Sequence, residues 1–226
     1  MLLYHETLAG TFLSRPNRFI ARVELDGREE TVHVKNTGRC RELLVPGARV
    51  ILNRGTNRSR KTAFDLVSVY KGDRLINMDS QAPNIIAAEY LPRLFPDLEM
   101  LKREVVCGDS RFDFYGIRNG RPFYLEVKGV TLERSGLVLF PDAPTERGVK
   151  HLRELTALQR NGMAAYVLFV VQMENVLSLR GNRLTDPAFA DALLMARDAG
   201  VGIYAVDCHV TPDSVVANEP LPVEFV

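Results

Sequence analysis

The chain of 226 residues is long enough for one large domain or two small ones, and its 46% of hydrophobic residues can form a buried core. No apolar run approaches the roughly 20 residues of a membrane helix, so the composition excludes a helical membrane protein. The apolar start is interrupted by His5 and Glu6, which is not typical of a signal peptide, so we expect a cytoplasmic protein without a membrane partner.

Charge is distributed unevenly along the chain. Residues 1–80 contain 14 basic and 9 acidic residues, a net charge of +5, whereas residues 81–226 contain 15 and 19, a net charge of −4. This asymmetry predicts two domains with different tasks, 1–80 and 81–226. Chance fluctuation over a small count is the alternative explanation.

The first 80 residues have the pattern of a small β-domain. Two apolar–polar runs, 19–25 and 28–35, flank Asp26-Gly27, which is a strong signal for a two-residue hairpin turn. That turn pairs residues whose numbers add up to 53, so Ala21 faces Val32 and apolar residues stay on one side. With further strands predicted at 48–53 and 64–70, the segment resembles a barrel of the OB type, which often binds nucleic-acid backbones.

Two basic segments of this domain are candidates for binding DNA phosphates. One is a loop rich in Gly, Asn and Ser, and the other is an Asn-Thr-Gly turn with arginines behind it. Both also fit ordinary solvated loops or turns, and phosphate contacts would make the affinity sensitive to salt and blind to sequence. The candidate residues are Arg54, Arg58, Arg60 and Lys61 in the loop, and Asn36, Thr37, Arg39 and Arg41 in the turn.

The second part of the chain alternates helices and strands. The predicted order from residue 84 is α-β-β-β-α-β-α-β, which indicates a mixed sheet flanked by helices. Thr145 is the predicted N-cap of the second helix, and Asn161-Gly162 its C-terminal stop. The predicted helices are 84–95 (ending near Pro92), 145–162 and 187–199, and the strands are 102–107, 111–117, 122–131, 164–171 and 201–207.

A hairpin around Asn119-Gly120 brings acidic residues together. Its two-residue turn pairs residues whose numbers add up to 239, so Asp113 lies across from Glu126. Phe112 and Phe114 then face Val127 and Leu125, and these four residues should form one apolar face on the opposite side of the hairpin.

Two carboxylates facing each other repel, and a cation between them removes the repulsion. Mg²⁺ or Mn²⁺ suits such oxygen ligands, and the carbonyl of Val127 can supply another. Lys128, on the face of Glu126, can orient a water or stabilise charge on a phosphorus centre. Asp113, Glu126 and Lys128 therefore predict a phosphodiester-cleaving site; the alternative is a solvated strand face neutralised by Arg111 and Lys128.

The start of the second helix carries further polar residues. A helix N-terminus is a natural anion site, so Glu146, Arg147 or Lys150 could face the metal and the scissile phosphate. A solvated helix face with an i, i+4 pair between Glu146 and Lys150 is the alternative.

Four sequence blocks resemble the sugar fermentation stimulation protein A (SfsA) family over about residues 15–170. The resemblance implies an OB-like N-terminal domain, a C-terminal domain of the PD-(D/E)xK nuclease fold, and DNA binding without marked sequence preference. The nuclease motif then falls on Asp113, Glu126 and Lys128, with an additional metal-binding acid at Glu89 on the first helix. The blocks are NTGRCRELLVPG, SRFDF, YLEVKGVTL and FPDAPTERGVKHLREL.

Two functions from different classes follow. The first is a DNA-binding, Mg²⁺- or Mn²⁺-dependent nuclease. The second is a non-catalytic, DNA-binding transcriptional regulator linked to sugar (maltose) metabolism, in which the nuclease scaffold serves as a docking surface. RNA is the weaker alternative to DNA as partner.

Overall fold

The computed structural model describes residues 3–36, 38–57 and 59–225, and the first part of the chain forms a closed β-barrel. The strands follow the order β3-β2-β1-β4-β5-β6, and an additional pairing of β3 with β5 closes a barrel of five strands. The expected small OB-type barrel is confirmed. Its strands are β1 (Thr7–Asn17), β2 (Ile20–Leu25), β3 (Arg28–Val34), β4 (Arg49–Arg54) and β5 (Phe64–Lys71), and β6 (Arg74–Asn77) extends the sheet.

The β2–β3 hairpin has the predicted register, with Ala21 paired to Val32 and both residues buried. Asp26 and Gly27 have the positive φ angles that this turn requires. The longest strand, β1, was not among the predicted strands, because Phe12 is its only fully buried residue and no apolar alternation marks it. Gly10 allows β1 to approach β2 closely, since a Cβ atom there would lie 2.6 Å from a methyl group of Val23.

The second part of the chain forms a mixed sheet with helices on both faces, as predicted. The sheet order is β15-β14-β12-β9-β8-β7, with β9, β12 and β14 parallel and the other neighbours antiparallel. Its elements are α1 (Ala82–Leu94), β7 (Leu98–Cys107), β8 (Ser110–Arg118), β9 (Arg121–Val130), α2 (Glu146–Arg160), β12 (Ala164–Val171), α3 (Pro187–Asp198), β14 (Gly202–Val210) and β15 (Val215–Pro220).

A second, smaller sheet was not predicted. Its order is β10-β11-β13-β16, and its strands have only two to four residues. Runs of that length carry no readable periodicity, and two of the three pairings are parallel and join distant segments. The strands are β10 (Glu133–Arg134), β11 (Leu137–Phe140), β13 (Ser178–Gly181) and β16 (Val223–Glu224).

Helices α1 and α2 pack on opposite faces of the main sheet. Ile86 and Leu91 of α1 pack in a cluster with Leu125, whereas Leu152 of α2 packs with Val167 in a second cluster that continues into the barrel core. Burial of side chains of this size stabilises the fold by about 1.5–3 kcal/mol each. None of the helices within the described residues has the length and apolar character needed to cross a membrane.

The N-cap of α2 offers a direct test of how this helix is fixed. The Thr145 hydroxyl accepts a hydrogen bond of 3.0 Å from the Gly148 amide, as predicted from the sequence. Replacing Thr145 by Ala should lower the free energy of unfolding by about 1 kcal/mol, because that amide loses its partner. Urea denaturation measures the change, and Thr145→Ser, which keeps the hydroxyl, is the control. Equal stability of the two variants would contradict the capping role.

Candidate metal centre and nucleic-acid interface

The hairpin that carries the candidate site has the predicted register from Phe114 to the turn, but the predicted pairing of Asp113 with Glu126 is not among its strand pairs. Phe114 pairs with Leu125 and Arg118 with Arg121, so the residue numbers of each pair add up to 239. Asn119 has φ 47° and Gly120 has φ 68°, the left-handed conformation that a tight two-residue turn needs.

The predicted apolar face is correct for three of its four residues. Phe114, Leu125 and Val127 belong to the cluster beneath α1. Phe112 belongs to the other cluster, where its ring lies 5.5 Å from Tyr124. The pairs between β8 and β9 end at Phe114, so the strict alternation assumed from the sequence does not hold beyond that residue. Asp113 therefore lies between two aromatic residues that face opposite sides of the sheet.

Asp113 is held in place by two hydrogen bonds. Its Oδ1 accepts from Asn84 Nδ2 at 2.7 Å, and its Oδ2 accepts from the Val127 amide at 2.8 Å. Burial raises the pKa of Asp113, and the nearby negative charge of Glu126 raises it further, although both hydrogen bonds and Lys128 act in the opposite direction. The influence of Glu126 on this pKa shows that the two carboxylates share one electrostatic environment.

Glu126 is only 4% exposed and faces α2. Its Oε1 accepts from Lys128 Nζ at 2.7 Å and is paired with His151 Nδ1. Burial raises the pKa of Glu126, but the hydrogen bond from His151 and the charge and hydrogen bond of Lys128 outweigh burial, so the pKa is lowered. Glu126 Oε2 is buried and has no hydrogen-bond partner within the described part of the chain. Such an atom needs an explanation, because buried polar atoms are rarely left unsatisfied.

The donor set can be compared with what a divalent ion requires. Across the described ranges, no group of three His, Cys, Asp or Glu side chains could hold a metal. The remaining protein donors are the Asp113 carboxylate, Glu126 Oε2 and the predicted carbonyl of Val127. Mg²⁺ is usually bound by one or two carboxylates and completes its shell with waters and substrate phosphates, so this set fits Mg²⁺ or Mn²⁺ and does not fit an all-protein cage.

Within the described residues, no hydrogen bond joins Asp113 to Glu89, the acid predicted to assist the metal. Glu89 is exposed on α1, and Asn84 is the residue of this helix that contacts Asp113. Five residues separate the two, which turns Glu89 well away from the site because a helix has about 3.6 residues per turn. Asn84 was missed by the sequence analysis, although a polar residue just after Pro83 in an otherwise apolar helix start was a usable signal.

The basic loop of the barrel is partly engaged in contacts of its own. Arg60 makes two hydrogen bonds to Asp65, at 2.9 and 2.5 Å, and Arg54 is paired with Glu6 and lies 4.7 Å from the Phe64 ring. Lys61 is exposed. Arg58 was also predicted here but lies outside the described residues. The loop borders a cavity of about 550 Å³. Lys61 is better placed to bind a ligand there than Arg60, because Arg60 is already paired with Asp65.

Asn36 and Gly38, on either side of Thr37, are held by hydrogen bonds. Asn36 accepts from the Gly38 amide and donates to the Met78 carbonyl, at 2.7 and 2.9 Å. Arg15, which the sequence analysis missed, donates to the carbonyls of Asn36, Gly38 and Arg39. Asn36 therefore has a structural role, while the predicted phosphate contacts Arg39 and Arg41 are both exposed. Thr37, also predicted here, lies outside the described residues.

The predicted cations of α2 lie in one cavity lining with His151. Arg147 and Lys150 are exposed and border a cavity whose lining includes His151, the residue paired with Glu126. Lys150 Nζ donates to the Asp109 carbonyl at 3.1 Å. Arg147 and Lys150 thus border a cavity that is connected to Glu126 through the side chain of His151.

A barrel of OB topology joined to a mixed sheet with a partly buried Asp–Glu–Lys group defines a two-part protein with a candidate ion site in its second part. The chain belongs to the sugar fermentation stimulation protein (SfsA) family, a family whose name associates it with sugar fermentation. Residues 13–78 match the SfsA N-terminal OB domain, and residues 81–214 match the sugar fermentation stimulation protein RE domain.

Similar proteins cover nearly the whole chain. The sugar fermentation stimulation protein homolog of Desulfitobacterium hafniense (strain Y51) is 53% identical over 99% of this chain and 98% of its own length. The homolog of Clostridium beijerinckii is 52% identical over 94% and 95%. The solved structure of Pyrococcus furiosus SfsA in complex with Ca²⁺ is 29% identical, covers 99% of this chain and 98% of its own, and has a TM-score of 0.88.

Proposed function

We propose that this protein binds DNA largely without sequence preference and hydrolyses phosphodiester bonds with Mg²⁺ or Mn²⁺ at Asp113 and Glu126. The observation that carries the proposal is the buried Oε2 of Glu126, which has no hydrogen-bond partner among the described residues and lies near a second carboxylate and an ammonium group. A divalent cation would give this oxygen a partner and remove the repulsion between the two carboxylates.

Two further observations support a divalent ion at this site. An acid on one strand, Glu-x-Lys on the next and a helix before them are the arrangement of a PD-(D/E)xK nuclease core, here formed by Asp113, Glu126 and Lys128. The Pyrococcus furiosus relative forms a complex with Ca²⁺, an ion that prefers oxygen ligands as Mg²⁺ does.

The chain's own residues would divide the work as follows. A bound ion would supply the Lewis acid that polarises a phosphoryl oxygen and acidifies water. Asn84 and the Val127 amide orient the Asp113 carboxylate, and His151 orients Glu126. The Lys128 ammonium, held 2.7 Å from Glu126, provides a positive charge where negative charge develops on the phosphorus oxygens. Exposed cations, among them Lys61, Arg39 and Arg41, would contact backbone phosphates and give salt-dependent affinity.

The test is a cleavage screen with supercoiled plasmid, linear duplex, single-stranded DNA and RNA, each with Mg²⁺, Mn²⁺ or EDTA. We expect DNA nicking that requires the metal. Lys128→Ala should lower the rate at least a hundredfold, in the range observed when one charge-stabilising donor is removed, while DNA binding in a gel-shift assay persists. DNA binding without cleavage of any substrate would refute the nuclease and leave the regulator.

The second candidate function is the non-catalytic regulator linked to sugar (maltose) metabolism. It is favoured by one observation: Glu126 Oε1 is already paired with both Lys128 and His151, so the charge of Glu126 is balanced without an ion. This function predicts DNA affinity that is independent of divalent ions, which the EDTA arm of the same gel-shift assay measures.

A further inference from the structure

A cavity of about 470 Å³ lies between the start of β8 and the first turns of α2. The cations Arg111, Arg147 and Lys150 stand at its exposed rim, and the buried residues Ser110 and His151 line its inner side. Two acids, Asp109 and Glu146, also border it, so cations outnumber acids by three to two. A polar floor with a basic rim suits a small anion.

His151 supplies a polar group to the inner side of the cavity. The residue is only 3% exposed, and its Nδ1 is paired with Glu126. The other ring nitrogen, Nε2, and the Ser110 hydroxyl make no hydrogen bond to the residues that the structure describes, and neither atom is cut off from solvent. Both can therefore bind a ligand that enters the cavity.

The rim cations differ in how far they are already neutralised. Arg111 is paired with Glu104, and Lys150 lies 3.7 Å from Glu154, but the two cations themselves are substantially exposed. Exposed ion pairs of this kind are weak and exchange readily for a stronger acceptor. Arg147 has no ion pair within the part of the chain that the structure describes. Arginine matches the oxygens of a phosphate group in bidentate geometry.

The cavity adjoins the proposed metal centre in two ways. Arg111 precedes Asp113 by two positions on β8, a separation of about 7 Å along a strand. On the other side, His151 contacts Glu126 directly. A nucleic-acid strand with one phosphate at Asp113 and Glu126 would therefore bring its neighbouring phosphate to the cavity.

We propose that this cavity binds the phosphate group adjacent to the scissile one, through Arg111, Arg147, Lys150 and the polar side chains of Ser110 and His151. The inference rests on the proposed function for the identity of the neighbouring site. The bound group is either an internal phosphodiester or the terminal phosphate of a strand, which share the same oxygen chemistry.

The experiment is an NMR titration of the ¹⁵N-labelled full chain in EDTA, following the backbone amides of Ser110, Arg147 and Lys150. Thymidine 5′-monophosphate probes a terminal phosphate and the dinucleotide TpT probes an internal one, with thymidine as the uncharged control. We expect shifts at these amides with one or both phosphate probes and none with thymidine. Shifts confined to other regions, or equal shifts with thymidine, would overturn the proposal.

A double variant and a matched control complete the test. Arg147→Ala with Lys150→Ala should weaken binding of the phosphate probe roughly tenfold to a hundredfold, the effect of losing hydrogen bonds to charged groups. Arg153→Ala with Arg160→Ala removes the same charge from exposed positions on the same helix and should leave the affinity within about twofold. Equal losses of affinity in the two double variants would show that the probe is held by general electrostatic attraction, and would refute the specific site.

Because this binding assay contains no metal and no cleavage step, its outcome is independent of the nuclease proposal. Phosphate binding in a protein that does not cleave DNA would support the anion site and refute the nuclease activity. Cleavage without phosphate binding at the cavity would refute the anion site alone.

Discussion

Replacing Glu126 by Gln is expected to abolish divalent-ion binding and, with it, any phosphodiester cleavage. The substitution keeps the shape of the side chain but removes the negative charge that an ion needs at the buried Oε2. It also leaves the Lys128 ammonium without its carboxylate partner in a largely buried position. In the unmodified protein, an ion at a hundred times its dissociation constant should stabilise the fold by about 2.7 kcal/mol. Thermal denaturation with and without Mg²⁺ or Mn²⁺ measures this stabilisation, and it should vanish in the variant.

Glu89→Gln is the matched control for this experiment. It makes the same chemical change at an acid that the family resemblance assigned to the metal but that is exposed on α1. Its ion-dependent stabilisation should equal that of the unmodified protein. Ion binding that survives in Glu126→Gln, or that disappears in Glu89→Gln, would show that the ion sits elsewhere.

The registers of both hairpins were predictable because the turn sequences determine them. Asp26-Gly27 and Asn119-Gly120 each supply two residues that adopt positive φ at low cost, which fixes a two-residue loop and the strand pairs next to it. The pairings of Ala21 with Val32 and of Phe114 with Leu125 follow from this local chemistry alone.

The convergence of side chains from other elements could not be predicted in this way. Asn84 and His151 reach the carboxylates because α1 and α2 pack on opposite faces of the sheet at particular rotations. The rotation of a helix relative to a sheet is set by core packing over many residues, and in this chain only the position of Asn84 within an apolar helix start points to it. The choice of Glu89 rested on the helix alone and not on the face of the helix that meets the sheet.

Asp113 shows a subtler limit of strand periodicity. The alternation rule placed Phe112 and Phe114 on one face, yet they lie in different clusters with Asp113 between them. At the same point on the neighbouring strand, Glu104 has φ 56°, which is unusual for a residue other than glycine. A local irregularity in two neighbouring strands interrupts a periodicity that the sequence analysis assumed to be continuous.

Glu133 links the barrel to the smaller sheet through a buried carboxylate. It is 4% exposed and lies 2.7 Å from Lys71 Nζ and 2.9 Å from an Arg74 guanidinium nitrogen, and the two cations belong to β5 of the barrel and to β6, which extends its sheet. Burial raises the pKa of Glu133, but hydrogen bonds from Lys71, the Gly136 amide and Arg74 outweigh it and lower the pKa to about 2. The carboxylate therefore stays ionised in the folded protein across a wide pH range.

Replacing Glu133 by Gln should lower the free energy of unfolding by roughly 2–3 kcal/mol at pH 7. The value lies below the usual range for breaking a buried ion pair because Lys71 and Arg74 are partly exposed and can be rehydrated. Since the folded-state pKa is depressed, the contribution of Glu133 is fully present above its ordinary pKa of 4.5 and is lost as the pH falls toward 2. Urea denaturation between pH 7 and pH 2.5 measures both effects.

Glu219→Gln serves as the control, because Glu219 forms an exposed pair with Arg93 at 3.9 Å. Exposed pairs contribute about 0–1 kcal/mol, so this variant should retain nearly the full stability and the full pH dependence of the unmodified protein. The difference in stability between the unmodified protein and Glu133→Gln should shrink as the pH is lowered from 4.5, because protonation removes the same charge that the substitution removes. A difference that stays constant down to pH 2.5 would mean that Glu133 stabilises the fold through packing. The ion pairs with Lys71 and Arg74 would then not stabilise the contact between the barrel and the smaller sheet.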